Sequence, residues 1–347
     1  MKKLEMDDVT FSVTPYSGYE NDVLRLRNSN RTKPQTLDYL NWRYLHEPSP
    51  HPPIIFWAYC DGACVGMASI IFRPYWIIGT LHYAAILGDI SVNENMRGKG
   101  IGRNLLQHIT AHIKKHSYHC SFVIPNEPIK KSLLAEGWII PESFVWYVWT
   151  VDPHLKIKKY VKVEFIATLL DKLYRVINWI KLKKINTSHF SSFRSDFFDD
   201  SFESFWQEFP KTQLIIRDRG LTSLQWRYQH HPNIKYKIMK FEYEEKFIGY
   251  IIYEYESNNT CYITDILTLD RKFIKQITKL FIHEISQSGY IQSIRYKLNE
   301  GHPYGVVLEE MGFRRRKESD VFQALFSSPS PLSERHIWYV SRGDKDT

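Results

Sequence analysis

The chain has 347 residues, 43% hydrophobic and 24% charged, a balance that excludes a wholly disordered protein and leaves room for two domains. Lys and Arg (46) outnumber Asp and Glu (38), a net charge of +8 that favours an anionic partner and is met by cofactor phosphates as well as by nucleic acid. Four cysteines exclude a disulfide scaffold, and 10 Trp, 22 Tyr and 20 Phe suffice to fill a large core and line a ligand groove.

The first residues, Met1-Lys2-Lys3-Leu4-Glu5, are basic, but no apolar stretch follows, so no signal peptide is expected. The most apolar segment, residues 76–87, is interrupted by His82 and is too short to span a bilayer. A soluble, cytoplasmic protein is expected. The first structural landmark is a helical stretch ending in Leu40-Asn41-Trp42-Arg43-Tyr44-Leu45-His46-Glu47-Pro48. Its Trp and Arg anchor a helix end to a sheet, or its Tyr44, His46 and Glu47 line an acceptor site; His82 is a further acceptor-site candidate. A β-hairpin is predicted over residues 54–59 and 65–72, turning at Asp61-Gly62, with Cys60 and Cys64 facing each other near its mouth. A metal would need more soft ligands close by, so no metal site is expected.

A third strand is predicted over residues 86–92. It runs into Val92-Asn93-Glu94-Asn95-Met96-Arg97-Gly98-Lys99-Gly100-Ile101-Gly102-Arg103, where glycines at 98, 100 and 102 open a helix. Lacking side chains, they let backbone N–H groups close around a phosphate at the positive end of the helix dipole. Arg97, Lys99 and Arg103 add fixed positive charge to that nest. The helix carries its apolar residues at Ile101, Leu105, Leu106, Ile109 and Ile113, one face of a 3.6-residue period. Neither the Walker spacing nor the dinucleotide Gly-x-Gly-x-x-Gly spacing is present. A buried strand over residues 120–124, Asn126, a short helix, and Glu136-Gly137-Trp138 leading into a last strand complete the unit.

Residues 156–184 form an amphipathic helix with Phe165, Leu169, Leu173, Val176 and Ile180 on one face and Lys162, Lys172, Arg175 and Lys181 on the other. Either it lies on an anionic membrane surface, or it is a connector whose apolar stripe is buried between two domains. The connector reading is preferred, because Glu164 and Asp171 dilute the positive charge.

The chain then repeats itself. Leu224-Gln225-Trp226-Arg227-Tyr228 answers residues 40–44, Asp265-Ile266 answers Asp89-Ile90, Asn299 answers Asn126, and Met311-Gly312-Phe313 answers Glu136-Gly137-Trp138, all in the same order. The glycine cradle alone is missing from the second copy, replaced by Arg271-Lys272-Phe273-Ile274-Lys275-Gln276. The expected organisation is α+β, with a first domain over 1–153, a connecting helix over 154–188 and a second domain over 189–347. In each domain a mixed, mostly antiparallel sheet is covered by helices.

Arg-x-x-Gly-x-Gly after a strand, with Asn126 beyond the next strand and the Gly137 turn, resembles the acetyl-CoA motif of the GNAT superfamily, the Gcn5-related N-acetyltransferases. The tandem layout resembles the double-GNAT acyltransferases, and the Trp-Arg-Tyr…Pro element is similar to that of members found in sugar and polysaccharide pathways. The resemblance implies that the strands ending at Val92 and Ile124 splay apart around pantetheine, with the backbone of Ser91 and Val92 alongside it. It implies that the amides from Gly98 to Gly102, through Ile101, hold the pyrophosphate, and that Asn126 contacts the pantetheine arm or the incoming amine. One acetyl-CoA, or another acyl-CoA, per chain is then expected, in the first copy. The implied activity is N-acetyl transfer to a small amine, an amino sugar or nucleotide-linked amino sugar. A Fem-like aminoacyl transferase or a non-catalytic CoA sensor are the alternatives. Asp89 is the sole ionisable group on its strand and the candidate base, unless it pairs with Arg43 as a structural carboxylate, which strand alternation favours. Nothing resembles a long basic face interleaved with aromatics, so nucleic acid is not an expected partner.

Overall fold

The computed structural model describes residues 8–46, 49–257, 259–326 and 337–345. The first half runs β1 (Val9–Pro15), α1 (Glu20–Asn28), α2 (Leu37–Tyr44), β2 (Ile54–Cys60), β3 (Ala63–Ile77), β4 (Thr80–Val92), α3 (Ile101–Lys115), β5 (Cys120–Val123), α4 (Glu127–Ala135) and β6 (Ile139–Thr150). Two helices, α5 (His154–Tyr160) and α6 (Glu164–Lys183), connect the halves. The second half runs β7 (Phe190–Ser195), α7 (Asp200–Glu208), β8 (Leu214–Arg217), α8 (Leu221–Leu224), β9 (Lys237–Tyr243), β10 (Lys246–Glu256), β11 (Thr260–Thr268), α9 (Ile274–Ser286), β12 (Ser293–Asn299), α10 (Pro303–Met311), β13 (Arg314–Phe326) and β14 (Ile337–Tyr339). The fold is the expected α+β one.

Local sequence explains the elements. At the β2–β3 turn Asp61 and Gly62 both adopt positive φ, 51° and 74°, as a two-residue hairpin loop demands. That turn pairs Cys60 with Ala63 and Tyr59 with Cys64, so the two cysteines do not face each other across the hairpin as expected. Successive side chains on a strand leave by opposite faces, and a one-residue offset separates the thiols. In α3, Leu105, Leu106 and Ile109 are fully buried against the sheet, each burial worth about 1.5–3 kcal/mol. Both closing turns use a left-handed glycine: Gly137 (φ 91°) lets Trp138 N–H bond back to Leu133, and Gly312 (φ 112°) lets Phe313 bond back to Leu308.

The strands form one sheet in the order β1-β2-β3-β4-β5-β13-β6-β12-β11-β10-β9-β7, with β8 joining β3 to β14. The order is nearly palindromic, and the last strands are exchanged. β13 of the second half pairs with β5 of the first, and β6 of the first pairs with β12 of the second. Each open edge is thereby covered by the other half, removing two exposed ladders. A period-2 strand pattern is the same whichever neighbour it takes, so the exchange left no mark on the sequence.

Candidate active site

β4 and β5 run parallel and pair only at Ala85–Ser121 and Ile86–Phe122 among the described residues. Beyond those pairs the strands diverge, and a cavity of about 950 Å³ opens between residues 87–92 on one side and 123–126 on the other. The splay starts beside a bulge. Met67 pairs with Ser91 and Ser69 with Gly88, so Asp89 and Ile90 together stand opposite Ala68, and Asp89 takes φ 54°.

At the far end of the gap the chain leaves Val92 through a short 3₁₀ turn and enters α3. Gly98 and Gly100 adopt φ 77° and 83°, and Gly100 is the N-cap of α3. A Cβ on Gly98 would meet nothing within 4 Å, so the turn is open on that side. The unpaired N–H groups of the first turn of a helix then present a positive end, and Arg97 and Arg103 join them on the cavity wall. Arg97 is steadied by a hydrogen bond to the Asn30 side-chain oxygen. Lys99 reaches back to the Met96 sulfur, and Ile101 points into the core. Asn126 is the N-cap of α4 but makes no side-chain cap bond, and it lines the cavity.

Residues 20–129 match the family described as acetyltransferase (GNAT) family. Over those residues, about a third of its length, the chain is similar to the GNAT acetyltransferase domain. Among solved structures, a conserved Enterococcus faecalis protein described as a probable N-acyltransferase superposes with a TM-score of 0.66 at 14% identity, covering 92% of this chain and 73% of that one. A GCN5-related N-acetyltransferase from Anabaena variabilis gives 0.64 at 14% identity with the same coverage, 92% and 73%. A tandem GNAT protein from the clavulanic acid biosynthesis pathway gives 0.53 at 14% identity, covering 93% of this chain and 99% of that one. No curated protein sequence matches the chain.

Asp89 sits on the wall of the cavity, and its Oδ2 accepts from Arg27 Nη1 at 2.6 Å and the Tyr44 hydroxyl at 2.5 Å, with Arg43 Nε at 3.2 Å. Burial pushes the Asp89 carboxyl up, but Arg27, Arg43 and the Tyr44 bond outweigh it and hold it below the usual carboxylate range. Of its two readings, this geometry favours the structural one. Tyr44 is buried and does not line the cavity; its hydroxyl, whose one proton goes to Asp89, also lies 3.0 Å from the Ser69 hydroxyl. His46 is exposed at the end of α2, away from the cavity wall. His82 lies outside the wall too, stacked on His119 with ring centroids 4.0 Å apart; burial and then His119 lower its pKa. Glu47 falls outside the described residues.

Sequence reasoning missed Arg27, Arg31, Arg73, Arg217, Asp344 and Lys345, all of which line the cavity. Arg217 and Lys345 come from the second half, where no motif flagged them. Arg73 and Arg217 bring their guanidinium groups within 4.9 and 5.2 Å of the Trp226 ring. The wall thus carries eight Arg or Lys side chains against three Asp. Each of those Asp is engaged: Asp89 by Arg27, Asp320 by Lys297 at 2.5 Å and Lys345 at 3.1 Å, and Asp344 by Arg219 at 2.8 Å.

The equivalent gap of the second half is filled by the chain's own C-terminal segment. Asn299, the counterpart of Asn126, exchanges bonds with Val340: its N–H donates to the Val340 carbonyl and its side-chain oxygen accepts from the Val340 N–H, both at 3.2 Å. The Tyr339 hydroxyl donates to Asp265 at 2.7 Å and accepts from the Ile266 N–H at 3.2 Å. Residues 339–341 therefore bridge β11 and β12 where β4 and β5 enclose open space. Burial pushes Asp265 above the usual carboxylate range despite Arg219, the reverse of Asp89. Among the described residues no group of three His, Cys, Asp or Glu is placed to hold a metal, and no helix is long and apolar enough to cross a membrane.

Proposed function

We propose that the protein is an N-acetyltransferase that moves the acetyl group of acetyl-CoA to the amine of a small, negatively charged acceptor. The observation that carries this is the splay of β4 from β5, opening onto a glycine turn at the head of α3 with Arg97 and Arg103 on its wall. These residues fit the coenzyme: two left-handed glycines free the backbone amides, and the guanidinium groups match a diphosphate's charge. Ser91, Val92 and Asn126 flank the gap that the pantetheine arm would take. Bound acetyl-CoA supplies a thioester carbonyl for an amine to attack.

One coenzyme per chain is the expected stoichiometry. In the second half Phe273 and Ile274 replace the cradle glycines, and residues 339–341 occupy the gap between the strands.

The acceptor end of the cavity is basic. With Arg97 and Arg103 assigned to the diphosphate, the six other cations on the wall, Arg27, Arg31, Arg43, Arg73, Arg217 and Lys345, outnumber its three carboxylates, even with Arg27 and Arg43 paired to Asp89 and Lys345 to Asp320. An acceptor bearing phosphate fits this excess, so within the amino sugar class a nucleotide-linked amino sugar suits the wall better than a free one. Asp89 acts here as a positioning residue, holding Arg27 and Arg43 at the wall. Asp89 and Asp320 are both kept ionised by cations that outweigh burial, which makes them weak bases. Asp344, the third carboxylate of the wall, is held by Arg219 at 2.8 Å, so the route left for the amine's proton is water at the cavity mouth.

Free-thiol release from acetyl-CoA over a panel of amines, with calorimetric titration by CoA, tests the reading. One equivalent bound and thiol release with a phosphorylated amino sugar support it. No binding, or two equivalents, overturns it; binding without turnover on any amine points to a CoA sensor instead.

A further inference from the structure

We propose that the outward face of α6 docks on the surface of an anionic lipid bilayer. The connecting segment, expected as one helix over 154–188, is instead two, α5 and α6, broken where the chain turns extended at Val161 and Val163, and the apolar stripe of α6 is not buried between the halves. Helix α6 packs inward through its small and polar side, with Ala167 its one buried residue. Leu182, near its end, is partly buried against the large core, and Arg175 is ion-paired to Asp152 at 3.0 Å. The opposite side is left in water: Phe165 is 77% exposed, Leu169 57%, Leu173 54% and Val176 51%. At 100° per residue these side chains, with Ile177 and Ile180, share one face of a helix about 30 Å long. A continuous apolar strip of that length on a protein surface marks a place of contact.

Charge decides what makes that contact. Residues 156–184 hold nine Lys or Arg and two acids. Both acids are already neutralised within the segment, Asp171 by Arg175 at 3.0 Å and Glu164 by Lys158 at 2.9 Å. Lys172 and Lys183 fall on one flank of the apolar face, and Trp179 lies beside them, 58% exposed with the Lys183 ammonium 4.7 Å from its ring. Apolar residues flanked by lysine and tryptophan suit the boundary between acyl chains and anionic headgroups. A second copy of the chain fits worse, since a two-fold contact would bring this same basic segment against itself. The helix lies on the bilayer and does not cross it.

Co-sedimentation of the full-length protein with phosphatidylcholine–phosphatidylserine vesicles, against phosphatidylcholine alone, tests this. Binding to the anionic vesicles should be at least about tenfold tighter and should weaken with added salt. Leu173→Glu with Ile177→Glu places charge on the inserted face and should cost at least roughly tenfold in affinity. Lys172→Ala with Lys183→Ala should weaken binding by about fivefold per charge. All four positions are exposed, so melting temperature is expected to stay that of the wild type. Failure to sediment with either vesicle, or undiminished sedimentation of the Leu173→Glu, Ile177→Glu protein, overturns the proposal. So does a wild-type dimer in light scattering that the same pair of substitutions converts to monomer, which would make the face a self-contact.

Discussion

Trp42 and Trp226 stand 184 residues apart, and each donates its indole N–H to the other's backbone carbonyl, at 2.8 and 2.9 Å. Their rings stack with centroids 4.9 Å apart and planes 11° from parallel. The two copies of the Trp-Arg-Tyr element are thus each other's binding partner, joined about a local two-fold. Around the stack the arginines interleave: Arg73 and Arg217 lie over Trp226, and Arg227 lies over Trp42. Since Arg73 and Arg217 also line the cavity, the junction between the halves is one wall of the candidate active site.

Trp42→Ala should therefore cost about 3–5 kcal/mol, and Trp226→Ala a similar amount, through the cavity left and the hydrogen bonds lost. Because both changes remove the same contact, the double variant should lose clearly less than the sum. Urea denaturation of the three variants measures this. Strict additivity would mean that the stack does not couple the halves.

Asp89→Asn removes the charge that Arg27 and Arg43 share, and at pH 7 should destabilise the protein by about 3 kcal/mol. The sign of the pH effect follows from the carboxyl lying below its ordinary range when folded. Its contribution is fully present above the unfolded value of about 4 and is lost as pH falls through the lower folded value. The gap between wild type and variant should hold from pH 7 to 5 and narrow below pH 4. A gap that does not change with pH would show that Asp89 is not the ionised partner.

Gly100→Trp fills the left-handed N-cap of α3 and should weaken CoA binding roughly 100-fold, the loss of about two charge-assisted hydrogen bonds. Ile274 is buried, so the exposed Lys272 is the better control in the second half. Lys272→Trp should leave CoA affinity within about twofold, as a surface change far from any nest. Calorimetry compares the two, and equal losses would place the coenzyme elsewhere.

Lys345→Ala removes a partly exposed cation that the second half contributes to the cavity wall. With a phosphorylated amine KM should rise about tenfold, with kcat and the KM for acetyl-CoA unchanged. An uncharged amine should not register the change. In the wild type, kcat/KM should climb with pH towards the amine's own pKa, because Asp89 and Asp320 are held ionised by their cationic partners. A loss of kcat in Lys345→Ala with both amines would give Lys345 a different role.

The sequence by itself determined the elements and their duplication. Periodicity placed α3 and its buried face, the Asp61-Gly62 turn placed the first hairpin, and the paired glycines at 137 and 312 placed the two closing turns. These features are set by backbone sterics and local burial, which act over a few residues and so leave a local record. The Gly98–Gly102 turn was legible for the same reason. Tertiary structure alone decided which strands are neighbours, because the exchange of β6 and β13 depends on pairing energies that any amphipathic strand offers. It also decided that Asp89 meets two arginines, since the bulge that redirects it arises from a register mismatch with β3. The second cleft is closed by residues 339–341 and the first is walled by Arg217 and Lys345 because chain segments far apart in sequence arrive at one point. The outward face of α6 completes the contrast: its amphipathic period is written in the sequence, but which side meets the protein depends on the surface beneath it.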